Sequence, residues 1–255
     1  MDPRRRRGYP FAMTSSTPVA LVTGGAVRVG RALSLGLAEA GYDVVVAYRS
    51  SAGPAEEVRD RIEAGGRRCT LIQADMAVPD DIAGIAETVL QSFGRLDLLV
   101  NSAASFHDTP LLDVGAEEWD AIQAVNARGP HLLVKACAEL LRSTRGAVVN
   151  IADHMGLKPW VRYGAHSVSK AALIHLTLIQ ARALAPEVRV NAVAPGLVLP
   201  PDGMSAEALE TEIDATLVKR VGSPQDVLEA VLYLARAPFV TGQLLVVDGG
   251  GTTLG

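Results

Sequence analysis

The sequence predicts an α/β protein built on one doubly wound parallel sheet, on three observations. Seven short runs rich in Val, Leu and Ala alternate with helical patterns from Pro18 to the end, with no linker or internal repeat. The first run ends in Thr23-Gly24-Gly25 and leads into a helical pattern, the strand–turn–helix context of a dinucleotide-binding turn. The chain has 255 residues, 49% of them apolar and only 4% aromatic, which suits close-packed aliphatic cover on both faces of a parallel sheet.

Each element has its own signal. PVALVTGG is a β-branched run closed by glycines, and GRALSLGLAEAG has helical spacing and stops at Gly41. YDVVVAYRS is the second strand, and the second helix runs from Pro54 to Ala64. CTLIQAD is the third strand; DDIAGIAETVLQSFG is an amphipathic helix with Asp near its start. LDLLVNSA is the fourth strand, followed by a loop to Val114. Glu117 to Arg142 reads as two helical stretches meeting near Val125. GAVVNIAD and VRVNAVAP are the fifth and sixth strands, with a long helix between them at about Tyr163–Ala185. PQDVLEAVLYLAR is the last helix and GQLLVVDGG the last strand. Residues 197–221 are weakly patterned and fall after a late strand, so they are expected to form a mobile lid containing a short helix. A single domain is expected over 17–255, preceded by a disordered basic arm over 1–16.

The balance of charges excludes some partners. Net charge is −4, so no basic field recruits nucleic acid. No apolar run reaches the roughly 20 residues that a membrane span needs. Cys69 and Cys137 are too few and too far apart for a disulfide or metal framework; they are expected to be buried, reduced thiols of a cytoplasmic protein.

The first turn reads Thr23-Gly24-Gly25-Ala26-Val27-Arg28-Val29-Gly30. Gly24 permits the tight turn, Gly30 allows close helix packing, and the helix N-terminus faces a pyrophosphate. Arg28 stands at the usual middle glycine and can fork onto phosphate oxygens. An NAD site needs an acid at the end of the second strand; here Tyr48 is followed by Arg49, Ser50 and Ser51, which suit a 2′-phosphate. The expected coenzyme is therefore NADPH/NADP. Asp75 could accept the adenine amino group, or simply make a turn; Met76, Asn101, Ser102, Ala103, Pro195 and Gly196 are expected to line the same coenzyme.

Taken together, TGG…G after the first strand, NSAAS after the fourth, the Asn of AVNARG, HSVSK, VAPG and VTGQLLVVDGG resemble the short-chain dehydrogenase/reductase family over about residues 18–252. Within it the chain is most similar to pteridine reductases, on Arg28, the AYRSS run, NSAASFHDTPLL with Phe106, and Asp153 in IADHM, where most members carry serine. The resemblance implies that Lys170 bonds the nicotinamide ribose, that Asn126 holds a relay water, and that Phe106 stacks on a flat heteroaromatic substrate, with Ser105, Tyr163, Leu199 and Met204 as further contacts. It also implies that the helices at Glu117–Arg142 and Tyr163–Ala185 pair across subunits in a homotetramer.

The chain departs from that pattern at two places. Ala104 replaces a usual serine, and His166 stands four residues before Lys170, where the family carries its catalytic tyrosine. Imidazole is shorter than phenol by roughly 2 Å at its outer atom, so His166 is expected to be a neutral donor. Asp153 could be kept protonated by burial and serve as the acid, or be a carboxylate in a structural ion pair; whether Asp153, His166 or water donates the proton stays open at the level of sequence. The function expected is reduction of a pterin-like or other activated C=N, C=C or C=O bond; the alternative is an NADP-binding sensor or scaffold with little catalysis.

Overall fold

The computed structural model describes residues 17–201 and 203–253; the expected basic arm lies outside them. Seven parallel strands form one sheet: β1 (Val19–Thr23), β2 (Asp43–Tyr48), β3 (Cys69–Gln73), β4 (Leu98–Asn101), β5 (Ala147–Ile151), β6 (Arg189–Pro195) and β7 (Leu244–Val247). Their order is β3-β2-β1-β4-β5-β6-β7. The chain winds outward from β1 to β3 and then crosses back to β4, so strand order reverses between β1 and β4. Ligands of such sheets bind beyond the strand C-termini at that point.

Among the described residues eight α-helices connect the strands: α1 (Arg28–Glu39), α2 (Ala52–Ala64), α3 (Pro79–Phe93), α4 (Ala116–Gln123), α5 (Gly129–Thr144), α6 (Gly164–Leu184), α7 (Ala206–Asp214) and α8 (Pro224–Arg236). Alternate strand residues serve opposite faces. Ala20, Val22, Val44 and Val46 pack against Leu33 and Leu37 of α1, Val58 of α2 and Val231 of α8. Val19, Leu21, Val45 and Leu99 pack against Ile85 of α3, Leu133 of α5 and Leu184 of α6. Both faces are covered, which explains why the inner strands read as unbroken apolar runs.

Some boundaries differ from the sequence expectation. Helix α2 begins at Ala52 and not at Pro54, because proline is tolerated in a first turn, where its missing N–H would have no intrahelical partner. The two stretches expected to meet near Val125 are α4 and α5, joined without a break by a π-helical turn at Ala124–Arg128. The 197–221 segment contains α7, capped by Ser205, whose hydroxyl accepts from the Ala208 N–H. Cys137 is buried and Cys69 half-buried; burial pushes both thiols up to about 12, so neither is reactive at neutral pH. Among the described residues no helix is long and apolar enough to cross a membrane.

Candidate active site

The glycine turn after β1 is dictated by backbone crowding. A Cβ on Gly30 would lie 2.1 Å from the Gly24 carbonyl oxygen, and one on Gly24 would lie 2.9 Å from Ala103 Cα. Gly24 also has φ +65, a left-handed conformation that glycine adopts without penalty. Arg28 has φ +50, so the arginine takes up the backbone shape of the glycine it replaces, at a cost on the order of 1 kcal/mol. Its Nη2 donates to the Leu199 carbonyl at 2.9 Å, which ties the turn to the start of the 197–221 segment. The N-cap residue Val27 makes no side-chain cap, and the first turn of α1 holds no acid, so the N-terminal amides of the helix keep their capacity for an anion.

At the end of β2, Tyr48 is half-buried against the core, while Arg49 and Ser50 are exposed. Ser51 is the N-cap residue of α2, yet its hydroxyl makes no cap bond. Asp75 Oδ1 accepts from the Ala77 N–H at 2.8 Å, the turn role that the sequence allowed. Met76 belongs to the core on one face of the sheet, and Val29 packs against the core on the other. The amides of Ser102 and Ala103 donate to Thr23 Oγ1 at 3.0 and 3.1 Å, and Asn101 is buried with its amide donating to Asn150. These bonds tie the end of β4 to β1 and β5. Pro195 is buried, and the Gly196 amide donates to the Val247 carbonyl.

Around His166 the geometry is set by Asn126, which sits fully buried in the π turn. Its Oδ1 accepts from the Ser105 N–H at 2.7 Å; its Nδ2 donates to the Ser105 carbonyl and to Ser169 Oγ, both at 2.9 Å. The amide thus ties the loop after β4 to α6. Ser105 Oγ lies 3.3 Å from His107 Nε2, so its hydroxyl is engaged outside this pocket while its carbonyl reaches His166 Nδ1 at 3.2 Å.

His166 is only 3% exposed. Its Nε2 stands 3.5 Å from Asp153 Oδ2, close enough for a charge interaction and too far for an aligned bond; Nε2 is thus a buried polar atom without a hydrogen-bond partner. Lys170, one helical turn along α6, donates from Nζ to the Ile151 carbonyl at 2.8 Å, leaving two N–H positions. Burial pulls its pKa down to about 8, with the Asp153 charge partly offsetting that.

Of the two sequence readings of Asp153, the surroundings favour the carboxylate. Burial alone would raise its carboxyl, but the His166 contact, the Met155 N–H on Oδ1 at 2.8 Å, and the charges of His154 and His166 outweigh it. The pKa is held below its ordinary value, and the group is a carboxylate. The side chain is also 26% exposed, too wet for burial to keep it neutral.

Over this pocket stands Phe106, 51% exposed. Its ring lies 4.8 Å from both the Tyr163 and His166 rings, tilted on the first and edge-on to the second. Tyr163 precedes α6 as its N-cap residue, and Trp160 and His154 continue the row of rings. Asp108 and Arg162 pair across the two loops that carry Phe106 and Tyr163, and the Leu111 N–H donates to the Val161 carbonyl. Leu199 and Met204 are half-buried at the start of the 197–221 segment.

The family described as enoyl-(acyl carrier protein) reductase matches residues 25–252. The chain is 36% identical over 240 residues to a 3-oxoacyl-(acyl-carrier-protein) reductase of Staphylococcus aureus, covering 92% of this chain and 98% of that one. It is 37% identical over 243 residues to an uncharacterized oxidoreductase of Mycobacterium tuberculosis, covering 92% of each. A crystal structure of a short-chain dehydrogenase/reductase from Burkholderia xenovorans superposes with a TM-score of 0.87 at 31% identity, covering 94% of this chain and 99% of that one. The chain belongs to the short-chain dehydrogenase/reductase family.

It is therefore an oxidoreductase of a family that works with NAD(P)H. The residues present in this reductase fit such a coenzyme: an uncapped α1 N-terminus beside a glycine turn, exposed Arg49 and Ser50, and a Lys170 ammonium with two donors to spare. Sequence reading missed Ser169, whose Oγ accepts from Asn126 and donates to the His166 carbonyl, although its place in SVSK between the histidine and lysine was a usable signal. It also missed Thr23 as the link between β1 and the β4 loop, and His154 and Trp160 as part of the aromatic rim; short polar and aromatic residues in loops carry no periodicity that would single them out.

Proposed function

We propose that this reductase is NADPH-dependent and transfers hydride to a flat, pterin-like or otherwise activated C=N, C=C or C=O substrate. The observation that carries this reading is the half-exposed Phe106 ring standing edge-on over His166, at the strand ends where Lys170 also points inward. A planar ring lying against Phe106 and Tyr163 would gain stacking energy of about 0.5–1.5 kcal/mol per pair. Arg49, Ser50 and Ser51, with no acid at the end of β2, favour the 2′-phosphate of NADPH. Arg28 would bond the coenzyme phosphates with the guanidinium N–H groups that Leu199 does not use, and Asp75 would face the adenine with its second oxygen.

When bound, the coenzyme supplies the hydride. Lys170 orients it by donating to the nicotinamide ribose, Asn126 fixes Ser105 and thereby the substrate-facing loop, and the Asp153–His166 pair supplies the proton. Phe106, Tyr163, Ser105, Leu199 and Met204 form the substrate walls. The outer face of α6 exposes Val168, Leu178 and Ile179, which favours assembly of subunits into a homotetramer.

A second reading comes from the relatives named for 3-oxoacyl reduction: a 3-oxoacyl thioester as substrate. Stopped-flow NADPH oxidation against dihydropterins, quinones, simple ketones and a 3-oxoacyl thioester separates the two. Turnover with dihydropterins or quinones above the thioester is expected; the reverse order favours the thioester. Tight NADPH binding with no turnover on any of them points to a sensor or scaffold. Light scattering at micromolar concentration should return a tetramer mass, and a monomer would overturn that part.

A further inference from the structure

We propose a second activity at the mouth of the reductase pocket. Ser105, His107 and Glu118 form a nucleophile, a general base and its orienting carboxylate, and they hydrolyse aryl esters without a coenzyme.

The backbone of Ser105 is held on both sides by Asn126, which accepts from its N–H at 2.7 Å and donates to its carbonyl at 2.9 Å. The hydroxyl turns to the loop instead, where Oγ lies 3.3 Å from His107 Nε2. Across that ring, Nδ1 lies 3.1 Å from Glu118 Oε1, which also accepts from the Thr109 hydroxyl at 2.7 Å. A carboxylate only accepts, so it keeps the proton of the neutral ring on Nδ1 and leaves the Nε2 lone pair for the serine hydroxyl. Glu118 belongs to the first turn of α4, so the carboxylate that orients the ring sits on a regular element and not on the loop. Nucleophile, base and orienting acid thus stand in hydrogen-bond sequence, and the serine–histidine step has the loose length common before a substrate is bound.

The group is open to a small substrate: the His107 side chain is 47% exposed, and Ser105 is half-buried. Phe106, between them in the chain, exposes half of its ring, a face on which an aryl group gains stacking energy. The Phe106 main-chain N–H has no partner among the described residues. It follows the nucleophile on the same backbone, and it is the donor assigned to the acyl oxygen. In the first step Ser105 Oγ bonds to the acyl carbon, its proton passes to His107 Nε2, and the C=O π pair moves onto oxygen. That pair then returns, the bond from carbon to the aryl oxygen breaks with its electrons on oxygen, and the phenoxide takes the proton from Nε2. Water repeats the sequence on the acyl-serine, releases the carboxylic acid and restores the hydroxyl. No oxidant or reductant enters.

Two measurements on the coenzyme-free protein test this. In the first, the parent is treated with a p-nitrophenyl alkylphosphonate, which phosphonylates activated serines, and the modified residue is located by peptide mass spectrometry. Ser105 should carry the label; a label elsewhere, or none, overturns the proposal. This measurement uses the parent alone, so it stands even if a variant fails to fold. The second follows p-nitrophenyl acetate hydrolysis by the parent and by Ser105→Ala, His107→Gln and Glu118→Gln, each with its thermal unfolding midpoint. Ser105→Ala should reduce p-nitrophenol release to the rate without protein, and His107→Gln should slow acylation by about 10²-fold. Glu118 is a positioning residue, so Glu118→Gln should slow acylation by about 10-fold with the KM for the ester unchanged. Hydrolysis that persists in Ser105→Ala, equal acylation rates in the parent and His107→Gln, or a Glu118→Gln effect on KM alone overturns the assignment. Neither measurement involves NADPH, so failure here leaves the reductase reading standing.

Discussion

Between Thr23 and Gly30 the chain builds its turn from consecutive residues, and the constraint is backbone against backbone: Gly30 on Gly24, Gly24 on Ala103. The pocket around His166 is made differently. Ser105 comes from the loop after β4, Asn126 from the π turn, Asp153 from the end of β5, and His166 and Lys170 from α6. The turn tolerates an odd residue, Arg28, by bending its backbone into the glycine conformation. The pocket accommodates His166 through polar partners instead: the Ser105 main-chain carbonyl on one nitrogen and the Asp153 carboxylate near the other. Local sites are thus constrained by shape, and assembled sites by the pairing of donors with acceptors.

The largest expected effect breaks the local side. Gly30→Ala drives a methyl to 2.1 Å from the Gly24 carbonyl, with backbone on both sides and no flexible side chain to yield. It should cost about 3 kcal/mol or more in urea denaturation, at or beyond the upper end for overpacking, and abolish NADPH binding. A stability loss under 1 kcal/mol would show that the turn yields more readily than its contacts suggest.

Next comes a test of the assembled side, through pH. Lys170 has a pKa of about 8 when folded and about 10.5 when unfolded. Between those values the unfolded chain binds more protons, so stability rises with pH across the window, and below pH 8 the full cost of charging the buried amine is borne. Lys170→Met should be more stable than the parent below pH 8, by on the order of 2–3 kcal/mol, with the gap closing by about pH 10.5. A gap constant with pH would mean that the variant acts through packing alone.

The smallest effect sharpens the comparison at the exposed end of β2. Arg49→Asp should reduce the preference for NADPH over NADH by about tenfold or more, equivalent to about 1.4 kcal/mol, with little change in stability. Isothermal titration with both coenzymes checks this, and equal dissociation constants in the parent would remove its premise.

How much was legible follows the same division. Strand runs, the glycine turn and the helix junction near Val125 were readable because each is written in neighbouring residues with a fixed period or a fixed steric demand. The positions of Asp153, His166, Lys170 and Asn126 were also readable, through the resemblance. Their scaffold bonds were not: Asn126 clamps Ser105, and Ser102 and Ala103 give their amides to Thr23, contacts between residues far apart in the chain.

By itself the sequence determined the seven-stranded sheet, the glycine turn and the absence of an acid after β2, since apolar periodicity and residue identity act over a few positions. Only the tertiary structure decided the ionisation of Asp153 and which groups surround His166. A protonation state depends on which donors, acceptors and charges stand within a few ångströms, and here those come from residues tens of positions apart in the chain.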